Sequence, residues 1–195
     1  MGLRDLVLAN RSYRRFVESE KIEESVLKEL VDLARCSASA GNLQSLKYVL
    51  SNTSERNALI FSTLSWAGYL TDWPGPGEGE RPSAYIVILG DTHISKNFFC
   101  DHGIAAQTIL LGATEKGYGG CMFGSINREQ LRAALSIPQR YEVLLVLAIG
   151  KPVEKVVLEE VGPDGSIKYW RDSSGVHHVP KRRLEDILIE PVASV

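Results

Sequence analysis

Two short basic segments near opposite ends of the chain contain the side chains best suited to bind an anion. The first, NRSYRRF at residues 10–16, supplies Arg11, Ser12, Arg14 and Arg15. The second follows Pro180 and supplies Lys181, Arg182 and Arg183. Arginine forks and lysine ammonium groups bind phosphate through short, charge-assisted hydrogen bonds. The two segments together therefore predict one phosphate site, although each segment alone also fits a solvated surface patch.

The overall charge limits what this anion can be. The chain has 195 residues, with 22 basic and 24 acidic side chains and a formal net charge of -2. A chain with this balance lacks the extended positive surface that nucleic acid or an anionic membrane requires. We therefore expect a small, local anion, and neither a nucleic-acid nor a membrane partner.

A different polar chemistry is concentrated in the segment CSASAGNLQS at residues 36–45. Its hydroxyl and amide side chains can donate and accept hydrogen bonds at the edge of a heteroaromatic ring. They are Ser37, Ser39, Asn42, Gln44 and Ser45. An ordinary helix-to-strand connector is the alternative for this loop taken alone. Combined with the two basic segments, the loop predicts a ligand that carries both a phosphate and a ring.

The motifs of nucleophilic and metal-dependent catalysis are absent from the sequence. It contains no G-x-x-x-x-G-K-[ST], H-E-x-x-H or G-x-S-x-G. The glycine-rich run at residues 75–80 precedes a predicted strand. It is therefore not the glycine motif of a dinucleotide-binding Rossmann unit, which must lie between a strand and the helix that follows it. We expect structural roles for His177 and His178, which alternate faces on a predicted strand, and for Asp101 and His102 near a helix start. The sequence thus predicts no metal site and no catalytic side chain.

Cysteine use and the N-terminus favour a cytoplasmic protein. The three cysteines are widely spaced and odd in number, which argues against a disulfide framework; they are Cys36, Cys100 and Cys121. We expect all three to be buried as small hydrophobic residues. The segment MGLRDLVLANR is too interrupted by charge for a signal peptide, and no apolar run reaches the roughly 18 to 20 residues of a membrane helix.

The periodicity predicts a single α+β domain over residues 1–195, with helices flanking a central sheet. Helices are expected at 3–9, 23–35, 55–67, 98–116 and 128–135. Strands are expected at 46–50, 84–90 and 143–150, with a short one within 118–125. We expect Ser25 and Ser54 as helix caps, and a buried stripe on the longest helix made of Ile104, Ala105, Thr108, Leu111 and Gly112. Residues 153–195 are predicted to form an extension of hairpins and a tail.

Several motifs occur in the order found in one known family. They are R-S-x-R-x-F at Arg11, Ser12, Arg14 and Phe16; S-x-x-N-x-Q at Ser39, Asn42 and Gln44; a glycine turn at Gly119, Gly120, Cys121 and Gly124; Ile137 with Pro138; Gly150, Lys151 and Pro152; and K-x-R at Lys181 and Arg183. In these motifs, which span nearly the whole chain, the sequence resembles the FMN-dependent nitroreductases. It departs from many members at Asn10, where they have arginine, and at Ser45, where they have proline.

The resemblance implies a three-layer α/β/α sandwich with a mixed, mainly antiparallel central sheet, in an intertwined homodimer with FMN at each subunit interface. It implies that Arg11, Ser12, Arg14 or Arg15, Lys181 and Arg183 hold the FMN phosphate or ribityl chain. Ser37, Ser39, Asn42 and Gln44 would contact the flavin from the partner subunit. Backbone groups near Gly119 and Gly120 would approach the ring.

The function implied is a ping-pong oxidoreductase in which NADH or NADPH reduces FMN, which then reduces a nitroaromatic, a quinone or a similar small acceptor. Two alternatives stay open at this point: a flavin carrier, sensor or flavin-consuming protein without reductase turnover, and an interaction protein that binds acidic surfaces. Trp66, Trp73 and Phe123 are candidate pocket walls, with ordinary packing as their alternative.

Overall fold

The computed structural model describes residues 1–190, which form two compact units. The first unit consists of residues 1–66 and 75–153, and the second contains residues 67–74 and 154–190. The helices of the first unit are α1 (Leu3–Ala9), α2 (Glu24–Arg35), α3 (Ser54–Phe61), α4 (Asp101–Glu115) and α5 (Arg128–Ala134). Its strands are β1 (Leu46–Ser51), β2 (Ala84–Asp91), β3 (Gly119–Phe123) and β4 (Tyr141–Gly150).

The four strands form one antiparallel sheet in the order β1-β2-β4-β3. Every residue of β2 is buried, as its continuous apolar sequence predicts for a strand covered on both faces. Alternate side chains of β2 and β4 therefore enter two separate hydrophobic cores.

Helices cover both faces of this sheet. On one face, Ile86 and Leu147 pack with Leu30 of α2 and Ile109 of α4. On the other face, Tyr85, Val87 and Val146 pack with Ile60 of α3 and Leu131 of α5. The predicted α/β/α layering and mainly antiparallel sheet are thus confirmed.

The predicted helix at 55–67 is wrong in its extent and its cap. The helix runs over Ser54–Phe61, and the side chain of Thr53, rather than Ser54, caps it by accepting from the Arg56 amide. It stops early because the following residues pair elsewhere: Leu64 forms a bridge with Ile126. At the start of α2, Glu23 takes the N-cap position that was expected for Ser25.

The longest helix also differs from its prediction. It begins at Asp101 instead of residue 98, because a turn precedes it in which the Asn97 side chain accepts from the Phe99 amide and Phe99 has a φ of 47°. Its buried face is broader than the predicted stripe, since both the sheet and α2 pack against it. Ile104, Thr108 and Leu111 are only partly buried.

Two cysteine predictions are also wrong. Cys121 is buried in β3, but Cys36 and Cys100 are exposed. Both exposed cysteines lie at helix ends, Cys36 after α2 and Cys100 before α4, where the chain turns at the surface.

The second unit contains β5 (Val156–Glu160), β6 (Trp170–Arg171) and β7 (His177–Lys181). β6 and β7 form the predicted hairpin, but β5 pairs with β7 in parallel, so a simple succession of hairpins is wrong. His177 is buried and His178 lies within hydrogen-bond distance of Glu159 and Asp172. Residues 1–190 contain no cluster of side chains suited to a metal ion. In the same range, no helix combines the length and apolar character needed to cross a bilayer.

Candidate functional site

The first basic segment lies across one end of the central sheet. Ser12 forms an isolated parallel bridge with Gly120, and the Tyr13 amide donates to the Gly120 carbonyl at 3.0 Å. A few residues later, the fully buried Phe16 forms a bridge with Pro152. Residues 12–16 are therefore fixed against β3 and the end of β4.

Glycines on these strands allow the segment to approach. A Cβ atom at Gly119 would lie 2.4 Å from Cδ2 of Tyr13, and one at Gly150 would lie 2.8 Å from Cδ1 of Phe16. At Gly120 a Cβ atom would lie 2.5 Å from the Ala148 carbonyl oxygen. The glycine turn is thus explained first by close packing within the chain. The approach of its backbone to a ring stays a prediction.

The three arginines have different environments. Nε of Arg15 donates to Glu80 at 2.7 Å, and its NH2 group contacts the other oxygen of the same carboxylate. Arg14 is buried, and its NH1 group donates to the Ser12 carbonyl at 3.1 Å. Arg11 is partly buried, and its NH2 group donates to the Val7 carbonyl.

Arg11 keeps an unused donor. Its Nε is buried and has no hydrogen-bond partner within residues 1–190. Burial lowers the pKa of its guanidinium, while the nearby Tyr13 phenol opposes this effect. A desolvated guanidinium that keeps a free donor, followed in sequence by the exposed Ser12, is suited to receive an anion.

The polar loop of residues 36–45 is built around a buried aspartate. Asp101, in the first turn of α4, accepts from the Ser39 hydroxyl at 2.7 Å and from the Ala40 amide at 3.0 Å. The Ser39 oxygen in turn accepts from the Gln44 amide at 3.0 Å. Ser37 is held separately, because its hydroxyl lies 3.0 Å from that of Thr108 on α4.

This arrangement holds Asn42 and Gln44 at the surface in an unusual backbone conformation. Both are exposed, with φ angles of 53° and 51°, in the left-handed region that non-glycine residues rarely occupy. Such conformations persist where surrounding contacts impose them, and they occur often at binding sites.

The sequence interpretation missed Asp101, because an acidic residue near a helix start is commonly only a solvated end group. Its role depends on its burial and on contacts with residues about 60 positions away in the chain. No local sequence pattern could have revealed these contacts.

A cleft of about 300 Å³ lies beside this loop. Ser39, Gln44 and Asp101 line it together with Tyr48 of β1 and Ala105 of α4. Burial raises the pKa of the Tyr48 phenol, and the Asp101 charge adds to the increase. The phenol therefore stays protonated at neutral pH and can act as a hydrogen-bond donor.

Within one chain, the loop and the basic segment lie at opposite ends of the sheet. Ser45 is next to Asp91, since the Asp91 amide donates to its carbonyl at 2.8 Å. Gly120 lies opposite Ile149, which lies opposite Ala84 at the other end of β2. Ala84 and Asp91 are seven residues apart on β2, so the two ends are separated by roughly 23 Å at about 3.3 Å per residue. The structure therefore brings together the members of each group but does not bring the two groups together in one chain.

The remaining predicted site residues belong to the second unit. Lys181 ends β7 and is exposed. Arg183 is also exposed and lies 3.3 Å from Asp186. Their convergence with Arg11 on one ligand stays a prediction.

The candidate pocket walls pack within the units. The Trp66 ring is in contact with Phe61 and Phe123, with centroid separations of 5.6 and 4.6 Å. In the second unit, Trp73 lies under the Arg171 guanidinium at 4.8 Å. These contacts fit the alternative of ordinary packing.

The chain is similar to known nitroreductases in sequence and in fold. Residues 80–151 match the model of the Nitroreductase family. The Bacillus subtilis protein YodC, provisionally named an NAD(P)H nitroreductase, is 23% identical over 203 residues, which cover 85% of this chain and 97% of YodC.

Solved structures show the same fold. A nitroreductase family protein from Streptococcus pneumoniae superimposes with a TM-score of 0.71 over 97% of this chain and 100% of that protein, at 13% identity. A protein from Exiguobacterium sibiricum, provisionally described as a nitroreductase and solved in complex with FMN, has a TM-score of 0.65 at 18% identity. The match covers 78% of this chain and 89% of that protein. The resemblance predicted from the motifs is thereby confirmed, as is the nitroreductase-like fold.

Proposed function

We propose that this chain, which has the nitroreductase fold and the motifs of that family, is an FMN-dependent NAD(P)H oxidoreductase. The observation that carries the proposal is the arrangement of the first basic segment, where Ser12 is held against Gly120 and the Nε of the neighbouring Arg11 lacks a partner within the described residues. The match to the Nitroreductase family and the FMN complex of a structural relative support the choice of ligand.

The donors present in the chain fit a flavin phosphate. Arg11 Nε and the Ser12 hydroxyl would bind phosphate oxygens, and the buried Arg14 would add positive charge to the same segment. Arg15 is a weaker candidate, since its guanidinium already binds Glu80. Lys181 and Arg183 would complete the phosphate site, as the family motif implies.

The polar loop fits the other part of a flavin. Asn42 and Gln44 would present amide groups to the ring edge, while Asp101 holds Ser39 and so keeps the loop in shape. Asp101 is on this view a positioning residue. Hydrogen bonds to the ring edge would stabilise the negative charge of the reduced flavin.

A homodimer explains how one flavin could meet both groups of residues. Since the loop and the basic segment lie at opposite ends of one sheet, a site that contains both requires the loop of a second chain. The exposed apolar side chains of α1 support an interface: the helix buries none of its residues and exposes Leu3, Val7 and Leu8.

The chemistry that FMN supplies when bound is hydride transfer from NADH or NADPH and electron transfer to a small acceptor such as a nitroaromatic or a quinone. Such chemistry requires no nucleophile or metal from the chain, whose residues bind and orient the reactants and exclude water. We place this ping-pong reaction in the cytoplasm.

The absorption spectrum of the purified protein tests the cofactor assignment. The protein, purified with added FMN and freed of excess by gel filtration, should retain the visible absorption of a flavin at one flavin per chain. A colourless protein that FMN does not restore would contradict the proposal. Retained flavin without reduction by NADH or NADPH would favour a carrier or sensor instead.

A further inference from the structure

A second cleft in the first unit has no part in the proposed flavin site. It has a volume of about 510 Å³ and lies where β1 ends and β2 begins, beside the first turn of α3. Its walls include Asn52, Arg81, Ser83 and Tyr85, none of which occurs in the flavin motifs. The volume is within the range of small-molecule sites.

Two hydroxyl groups in this cleft lack partners. Tyr85 is fully buried, Ser83 is 6% exposed, and neither side-chain oxygen has a hydrogen-bond partner in the described part of the chain. Buried hydroxyl groups are nearly always hydrogen-bonded, because an unpaired one is destabilising. Two unpaired hydroxyls in one cleft therefore indicate an occupant that binds them.

The tyrosine is a donor at neutral pH. Burial raises the pKa of its phenol, and the Glu18 carboxylate raises it further, against the opposing effect of Arg81. The phenol thus stays protonated, and it lies within the electrostatic influence of both charged groups.

Arg81 offers a third donor in the same cleft. Its Nε is buried without a hydrogen-bond partner, and its guanidinium lies 4.7 Å from the centroid of the Phe61 ring. Within residues 1–190 no carboxylate pairs with it. The nearby Glu18 carboxylate instead accepts from the backbone amides of Gly79 and Arg81.

The charges that line the cleft limit the ligand. Lys21 and Arg81 are balanced by Glu18 and Glu55. A balanced lining favours a singly charged or zwitterionic ligand over a doubly charged phosphate. The Arg56 amide of α3 already donates to the Thr53 side chain, but the Ser54 and Glu55 amides before it have no intrahelical acceptors and provide further donors for a negative group.

We propose that this cleft binds a small carboxylate, whose oxygens accept hydrogen bonds from Arg81 Nε and from the hydroxyls of Ser83 and Tyr85. An amino acid would add an ammonium group that Glu18 or Glu55 can meet. A simple carboxylate would bind only through the donors of Arg81, Ser83 and Tyr85.

Titrations followed by NMR of the backbone amides test the proposal on the full chain, with acetate, L-alanine and inorganic phosphate as probes. Amide signals of Ser54, Ser83 and Tyr85 should shift and saturate with acetate or L-alanine. Tighter binding of L-alanine would identify an amino acid as the ligand type, and equal binding would identify a simple carboxylate. Phosphate should bind at least about tenfold more weakly.

Two variants and a control make the result specific. Tyr85→Phe and Ser83→Ala should each weaken carboxylate binding, by about tenfold for the tyrosine, and their amide spectra report whether they are folded. The control is Tyr141→Phe, which changes a partly buried tyrosine toward the other end of the sheet and should leave carboxylate binding unchanged. Shifts that do not saturate with either carboxylate would overturn the proposal. Wild-type affinity in Tyr85→Phe or tighter binding of phosphate would do the same.

Discussion

Arg11 combines two properties that a phosphate ligand needs, positive charge and a donor with nothing yet bound to it. Its Nε has no acceptor in residues 1–190, whereas Arg15 is paired with Glu80 and Arg14 donates to the backbone of Ser12. These three arginines look equivalent in the sequence. Their differences arise from contacts with distant residues, so the sequence could predict the segment but could not rank its members.

We expect Arg11→Met to weaken FMN binding by about 1.5 to 3 kcal/mol, the range for a hydrogen bond to a charged group. Methionine keeps much of the apolar stem, which limits the loss of packing. The matched control is Arg4→Met, which changes an exposed arginine of α1. Fluorescence titration of flavin into apoprotein measures both. Equal affinities for the two variants would remove Arg11 from the phosphate site.

In the polar loop, too, the sequence could identify only some of the residues that matter. Ser39, Asn42 and Gln44 could be singled out because hydroxyl and amide groups are common in ligand loops. Asp101 could not, since its function in the loop follows from the way α4 packs beside residues 39 and 40. The positive φ angles of Asn42 and Gln44 likewise depend on this tertiary support.

Among the elements, β3 is the one most closely tied to the proposed site. We expect Gly119→Ala to displace Tyr13 and Pro152, which a Cβ atom would approach to 2.4 and 2.7 Å. The substitution should lower the free energy of unfolding by about 1 to 3 kcal/mol and weaken flavin retention. Gly124→Ala is the control, because no atom lies within 4 Å of its added Cβ. Denaturant unfolding and flavin content measure the two effects. Normal values for both in Gly119→Ala would show that the packing is not required.

The small sheet of the second unit should have a stability that depends on pH through His178. Burial lowers the pKa of this histidine, but hydrogen bonds with Asp172 and Glu159 outweigh it, and the net pKa is raised. A raised folded pKa means that the stabilisation is fully present below the unfolded value of about 6.5 and is lost as pH rises through the folded value.

This prediction is checked by measuring the melting temperature against pH. The wild type should lose stability relative to His178→Gln as the pH increases from about 6 to 8. A constant difference between wild type and His178→Gln would contradict the assigned ion pairs.

The sequence predicted helices and strands well where a single local pattern, an apolar run or a helical periodicity, determined the element. The apolar runs of β2 and β4 predicted buried strands, and the periodicity of α2 predicted its length to within a residue. Predictions were wrong where tertiary contacts competed with local preference. Helix α3 stops at Phe61 because Leu64 pairs with Ile126, and β5 joins β7 in parallel across a long connection.

For the whole molecule, the proposed homodimer makes a specific prediction about mixed chains. In a dimer of one Arg11→Met chain and one Asn42→Ala chain, one site carries both substitutions and the other carries neither. Co-expressed chains with different tags should therefore bind one flavin per heterodimer with wild-type affinity, while each variant alone binds weakly at both sites. Absorbance of the doubly purified dimer measures this. Weak binding at both sites of the heterodimer would mean that the two groups act within one chain.

The sequence could predict the family's fold for the whole molecule because its motifs extend from Arg11 to Arg183. It could not show that the basic segment and the polar loop lie at opposite ends of one sheet. That separation follows from the strand order and register, which no local pattern encodes.

Anaerobic mixing of the FMN-loaded protein with NADH and with NADPH distinguishes a reductase from a protein that only binds flavin. We expect at least one nicotinamide to bleach the flavin's visible absorption in a single phase, and a quinone or nitroaromatic added afterwards to restore it. Persistence of the oxidised spectrum with both nicotinamides, in a protein that retains its flavin, would contradict the assignment as an oxidoreductase.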